Sequence, residues 1–182
     1  MKHGGCTGVF VGIESGNNKI LQKIKKTQTT DECVLAMRNL QKHNIESHAF
    51  IMVGFPDETE DTFKQTMDFI PKLKPDSVIF SIFTPYPGSD IYEECKKEKI
   101  IDDEFDLALY NHQSPLNCFT KNITKERFYE LRKKAFKFVD NYNRKAKFRR
   151  GISSLRHLGI KATWKKAYSH LYSKIISYTN TR

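Results

Sequence analysis

The sequence predicts an α/β protein: three strands joined by helices into a parallel sheet, followed by a basic helical extension. Three observations predict it. Short, apolar, β-branched runs occur at Thr7–Ile13, Ser47–Gly54 and Ser77–Thr84. Stretches with helical spacing separate them. The charge changes sign near Lys121: residues 1–120 hold 13 basic and 18 acidic side chains, residues 121–182 hold 18 basic and 3 acidic.

Near-continuous apolar runs of this length suit strands covered on both faces, as in a parallel sheet. After the first run, Ile20, Leu21 and Ile24 mark a short helical turn. Thr29 with Glu32 has capping-box spacing, and Cys33, Val34, Met37 and Leu40 then form one buried stripe. After the second run, Thr59 caps a helix carrying Phe63, Met67 and Ile70, which Pro71 and Pro75 are expected to break. Glu93–Asp106 is acidic and reads as a helix end and a solvated loop, and Leu107–Phe119 is irregular. Thr124 caps a further helix whose stripe is Phe128, Leu131, Ala135, Phe138, Val139 and Tyr142. A last helix is expected from about Ile160, with Trp164, Tyr168, Leu171, Ile175 and Ile176 on one stripe. The expected divisions are a βα region over 1–92, an acidic linker or cap over 93–120, and a basic helical extension over 121–182.

Composition excludes several classes. A chain of 182 residues with 13 Phe and 8 Tyr is too aromatic to be disordered throughout. No apolar run approaches the roughly 18 residues that cross a bilayer. No apolar stretch follows the N-terminal Lys2, so the sequence does not begin as a secretory signal does. A cytoplasmic protein is the expectation. The four Cys, at 6, 33, 95 and 118, are too far apart for a small disulfide scaffold or a metal knuckle. They read as core residues. No His-x-x-x-His pair supports zinc, and no Gly-x-x-x-x-Gly-Lys loop supports a nucleotide triphosphatase. No metal ligand and no general acid or base stands out.

The unusual residues fall at the strand ends: Gly12-Ile13-Glu14-Ser15-Gly16, Gly54-Phe55-Pro56-Asp57-Glu58-Thr59 and Thr84-Pro85-Tyr86-Pro87-Gly88-Ser89. Right-handed crossovers gather these loops on one edge of the sheet, where α/β folds bind ligands. Each loop alone reads as ordinary turn chemistry. Three on one edge read as a binding site.

The triplet GIESG, GFPDET and TPYPGS, in this order and with Lys26-Thr27-Gln28-Thr29 after the first loop, resembles the C-terminal half of a radical S-adenosylmethionine (SAM) core. The subgroup it resembles is the cobalamin-dependent branch, which includes anaerobic Mg-protoporphyrin ester cyclases. Asp57 stands where that group usually has Gly, and Ser89 where it has Thr. The resemblance covers about Gly5 to Tyr92 and implies a partial (β/α) barrel, with the three loops following its fourth, fifth and sixth strands. It implies that Glu14 and Ser15 contact the methionine or ribose part of SAM. It implies that Val53 and Gly54 lie along the adenine, and that Phe83 and Thr84 offer it backbone groups.

The family's chemistry also needs a 4Fe-4S cluster on three closely spaced Cys. The Cys gaps here are 27, 62 and 23 residues. The early strands and a cobalamin domain are not in the sequence either. The resemblance thus implies a fragment, or one half of a split enzyme inactive alone, whose partner is the missing N-terminal half of the barrel. The alternative is a non-catalytic basic module. Five positive charges fall within Arg144–Arg150, which suits an anionic membrane surface or nucleic acid as well as a solvated face. The membrane reading would place the protein peripherally at the inner membrane surface.

Overall fold

The computed structural model describes residues 1–102, 104–111 and 114–151. They form two units, 1–143 and 144–182. Of the second, 144–151 are described and are helical. The helix expected from Ile160 lies outside the described residues.

The first unit has the predicted order. Strands β1 (Gly8–Glu14), β2 (Glu46–Val53) and β3 (Ser77–Ile82) form a parallel sheet in sequential order. Helices α1 (Asn18–Lys23) and α2 (Thr30–Lys42) connect β1 to β2, and α3 (Glu60–Leu73) connects β2 to β3. Helix α4 (Asp90–Lys97) follows β3, and α5 begins at 125. The Thr29–Glu32 capping box starts α2, and a reciprocal Thr59–Thr62 pair starts α3. Each satisfies donors that a helix N-terminus leaves open.

Pro71 does not break α3. The helix runs through it to Leu73 and ends where Lys74 adopts a left-handed conformation, φ 52°. A proline in the last turn forfeits one N–H bond and crowds the carbonyl one turn back, a cost that the packed helix absorbs near its end.

The strands are not covered on both faces. Ala49, Ile51 and Val53 of β2 and Val78, Phe80 and Ile82 of β3 are buried with Ile13, beneath α2, α3 and α5. On the opposite face Phe10 is 66% exposed, and Phe50 is also exposed. Apolar residues occupy both faces, but helices cover only one. On the open face Phe10 stacks on His48 at 4.7 Å, and His48 Nδ1 lies 2.7 Å from Ser77 Oγ.

Helix α5 belongs to this core. Phe128, Ala135 and Val139 are buried in it, and the compact unit runs to Asn143. Phe138 points outward, and Phe136 takes the inward place, edge-on to Phe80 at 5.1 Å. The two positions flank the stripe symmetrically, and the ring of Phe80 selects one. Asn143 closes the outer margin of β3. Its Oδ1 accepts from Val78 N at 2.8 Å, and its Nδ2 donates to Val78 O at 2.9 Å.

The stretch after α4 is also packed. Cys95, Ile101 and Phe119 join Ile20, Phe55 and Phe83 in a second apolar cluster. Phe83 meets Phe55 at 5.1 Å and Phe119 at 6.1 Å. Among the described residues of this segment, Cys95, Ile101 and Phe119 turn inward, while Glu94 and Glu98 pair with Lys23 and Lys121.

Candidate functional site at the strand ends

The site is built on a defect in β1. The register with β2 shifts between Gly12 and Glu14, and Glu14 takes φ 66°. A positive φ is unfavourable for a glutamate and marks a backbone held by its surroundings. The bulge re-aims the side chain. The Glu14 carboxylate folds back over Gly12: a Cβ there would meet Glu14 Oε1 at 2.7 Å and Lys26 Nζ at 3.1 Å. Lys26 Nζ lies 3.3 Å from Glu14 Oε1 and also donates to Gly12 O at 3.4 Å. Gln28 Nε2 donates to the same carbonyl at 3.2 Å. The segment between α1 and α2 thus holds the end of β1 and sets a cation beside an acceptor.

Ser15 does not join Glu14 there. It is fully buried, with Oγ 3.1 Å from Thr66 Oγ1 on α3, and it accepts from Asn17 N. Its hydroxyl fixes the turn. Gly16 follows because nothing larger fits: a Cβ would lie 2.6 Å from Phe69 Cβ and 2.8 Å from Thr66 Cα.

Val53 is buried in the main core. Gly54 has φ 91°, and a Cβ on it would meet Phe128 Cζ at 2.8 Å. Only glycine suits that turn. The Phe83 side chain lies in the second cluster, and its N–H donates to Val53 O at 2.8 Å. Thr84 Oγ1 accepts from Asn117 Nδ2 at 2.8 Å. Of the six residues singled out in the sequence, Glu14 alone places its side chain beside a charged group. The other five build the strand-end backbone.

Sequence reasoning missed two buried groups here. Glu58, named in the sequence only as part of the loop after the second strand, has no exposed surface. Its Oε2 accepts from Gly54 N, and its Oε1 has no partner among the described residues. Asn117 is equally buried, and its Oδ1 is also unpartnered. No local pattern marks either one, because both are enclosed by segments distant in sequence.

An ion-pair chain crosses the loop after β2. Asp57 meets Lys23 at 3.2 Å and Lys121 at 2.5 Å, Lys23 meets Glu94 at 2.7 Å, and Lys121 meets Glu98 at 2.7 Å. Burial raises the Asp57 carboxyl, but Lys121 and Lys23 outweigh it and hold the group below its usual range. The Cys are free thiols, and burial pushes Cys95 up to about 11. The described residues contain no group of three or more His, Cys, Asp or Glu able to hold a metal ion.

Residues 1–70 match the family described as the Radical SAM superfamily. An uncharacterized methyltransferase of Pyrococcus horikoshii is 32% identical over 136 residues, covering 75% of this chain and 29% of that protein. The bacteriochlorophyllide d C-12(1)-methyltransferase of Chlorobaculum tepidum is 34% identical over 93 residues, covering 50% and 20%. A tRNA-2-methylthio-N(6)-dimethylallyladenosine synthase of Pelagibacter ubique is 37% identical over 120 residues, covering 63% and 27%. The chain therefore spans less than a third of the length of these relatives.

Proposed function

From a chain whose residues 1–70 are a segment of the radical SAM superfamily, we propose that it contributes the SAM-binding loops at the ends of three adjacent barrel strands. The observation that carries this reading is the Glu14–Lys26 pair over Gly12, held by a bulge at the C-terminal end of β1. The residues fit part of SAM. A carboxylate accepts bonds from ribose hydroxyls or an ammonium, a lysine ammonium meets a carboxylate, and the missing Cβ of Gly12 leaves them room. Glu14 would orient the methionine or ribose end. Ser15 would act only by fixing the turn, and Gly54, Phe83 and Thr84 would shape the backbone beside the adenine. When bound, SAM supplies a cleavable sulfonium.

The described residues do not fit a 4Fe-4S cluster, since the four thiols are dispersed and two are buried. In this reading the cluster is held by other strands of the barrel, which also cover the open face around Phe10 and Phe50. Methyl or methylthio transfer is the reaction class carried over from the relatives. Cobalamin, by analogy with the branch that the motifs resemble, would also be held outside the described residues.

Equilibrium dialysis of labelled SAM against the chain tests the reading. Wild type and Lys133→Ala should retain SAM, and Glu14→Ala should bind at least about tenfold more weakly, the effect of one charge-assisted hydrogen bond. Equal retention by wild type and Glu14→Ala, or none by a folded wild-type chain, overturns it.

A second reading rests on Lys133, Lys134 and Lys137, all exposed on α5. Such a face suits a polyanion, a nucleic acid or an anionic membrane surface. No helix among the described residues is long and apolar enough to cross a membrane. Salt-sensitive retention of the chain on anionic vesicles or on RNA supports this reading, and retention on neither at low salt removes it.

A further inference from the structure

Glu58 sits at the hinge between β2 and α3, immediately before the Thr59 cap. The loop wraps it from several sides. Its Oε2 accepts from Gly54 N, and the nearby Phe55 N–H favours its charged form. Its own N–H donates to Phe55 O at 3.0 Å, and its O accepts from Asn122 Nδ2 at 3.3 Å. Phe128 of α5 closes the space against Gly54. The carboxyl is therefore the internal support of a turn that reverses through a left-handed glycine.

The unpartnered Oε1 says which form the support takes. A carboxylate offers two acceptor oxygens, and enclosing one with no donor is costly. A carboxylic acid is enclosed at far lower cost, because it carries no net charge into a site without a cation. No neighbouring charge offsets this choice. Asp57 of the same loop is engaged by Lys23 of α1 and by Lys121, and Glu60 of α3 by Arg127 of α5. Burial pushes the Glu58 carboxyl up to about 8, only partly opposed by the two backbone N–H groups.

We infer that Glu58 is a positioning residue: its neutral carboxylic acid holds the Gly54–Phe55 turn in shape, and losing the proton loosens that turn. The turn borders the proposed SAM site, so loosening it weakens SAM retention without removing any ligand contact. That consequence rests on the reading above, but the titration itself does not.

The Gly54 amide resonance of the 15N-labelled chain, followed from pH 5.5 to 9.5, tests this. The expected result is an inflection near pH 8 in wild type that is absent in Glu58→Gln, whose amide oxygen still accepts from Gly54. SAM retention should fall severalfold across the same interval in wild type and stay flat in Glu58→Gln. A Gly54 amide that is flat in wild type, or that inflects in the ordinary carboxylate range, overturns the inference. If Glu58→Gln does not fold, the carboxyl 13C resonance of Glu58 in the wild-type chain decides by the same criterion. Titration without SAM retention would sink only the functional reading. SAM retention with a flat Gly54 amide would sink only this one.

Discussion

The Lys26 ammonium lies 3.3 Å from the Glu14 carboxylate and reaches across the bulge that ends β1. Both side chains keep some contact with water, so the pair adds little to folding, typically less than about 1 kcal/mol. Its significance is placement. Lys26→Met should leave the denaturation midpoint nearly unchanged while weakening SAM retention severalfold. A large loss of stability with unchanged retention would show that the pair is structural.

The two glycines of the first loop should respond differently to the same methyl group. At Gly12 the methyl meets the ends of two flexible side chains, which can move aside. At Gly16 it meets Phe69 Cβ, Thr66 Cα and Gln65 O, which belong to a packed helix. Urea denaturation should show Gly16→Ala losing about 1–3 kcal/mol, the usual cost of overpacking. Gly12→Ala should lose less than about 1 kcal/mol and show its effect in ligand retention. The reverse order would mean that the end of β1 is more rigid than α3 docking.

Glu58 gives stability a definite slope with pH. The carboxyl is raised to about 8 in the folded chain, from 4.5. Between these values the unfolded chain has released the proton and the folded chain retains it. Stability is therefore greatest below about pH 4.5 as far as this group is concerned. It falls as pH rises and levels off above about 8. The total is on the order of a few kcal/mol. Thermal denaturation between pH 5 and 8 should show this fall in wild type and a reduced slope in Glu58→Gln.

Asp57 has the opposite sign. Its folded-state carboxyl lies below its usual range, so its contribution is present above about pH 4 and is lost as pH falls through the folded value. Asp57→Asn should cost about 0.5–1 kcal/mol near neutral pH, less in 1 M salt, because the pairs are partly exposed. Denaturation at two salt concentrations checks this. No difference between wild type and Asp57→Asn would mean that the four ion pairs do not hold the loop.

The strands and helix starts were legible because they are written locally. Apolar runs mark β1, β2 and β3, and Thr29, Thr59 and Thr124 each precede a helix at capping distance. Glu14 was legible as the one carboxylate in a glycine-flanked strand end. The rest depends on distant neighbours. Thr66, which bonds the Ser15 hydroxyl, lies some fifty residues away. Spacing puts Phe138 on the stripe, but Phe136 packs there against Phe80. Burial of Glu58 is not written locally, because its surroundings include Asn122 and Phe128 as well as Gly54. One-face burial was hidden for a similar reason: Phe10 and Phe50 are as apolar as the residues under the helices.

The Asn143 amide, bonded to both polar groups of Val78, gives the sheet a direction. Its two hydrogen bonds imitate those of another strand, so a further strand would have to displace the amide from Val78. No comparable side-chain pair seals β1 among the described residues. A strand added beside β1 needs no such displacement, whereas two copies pairing through their β3 margins would both have to give up the Asn143 bonds. Enlargement is one-sided, as in a ribbon with one hemmed border.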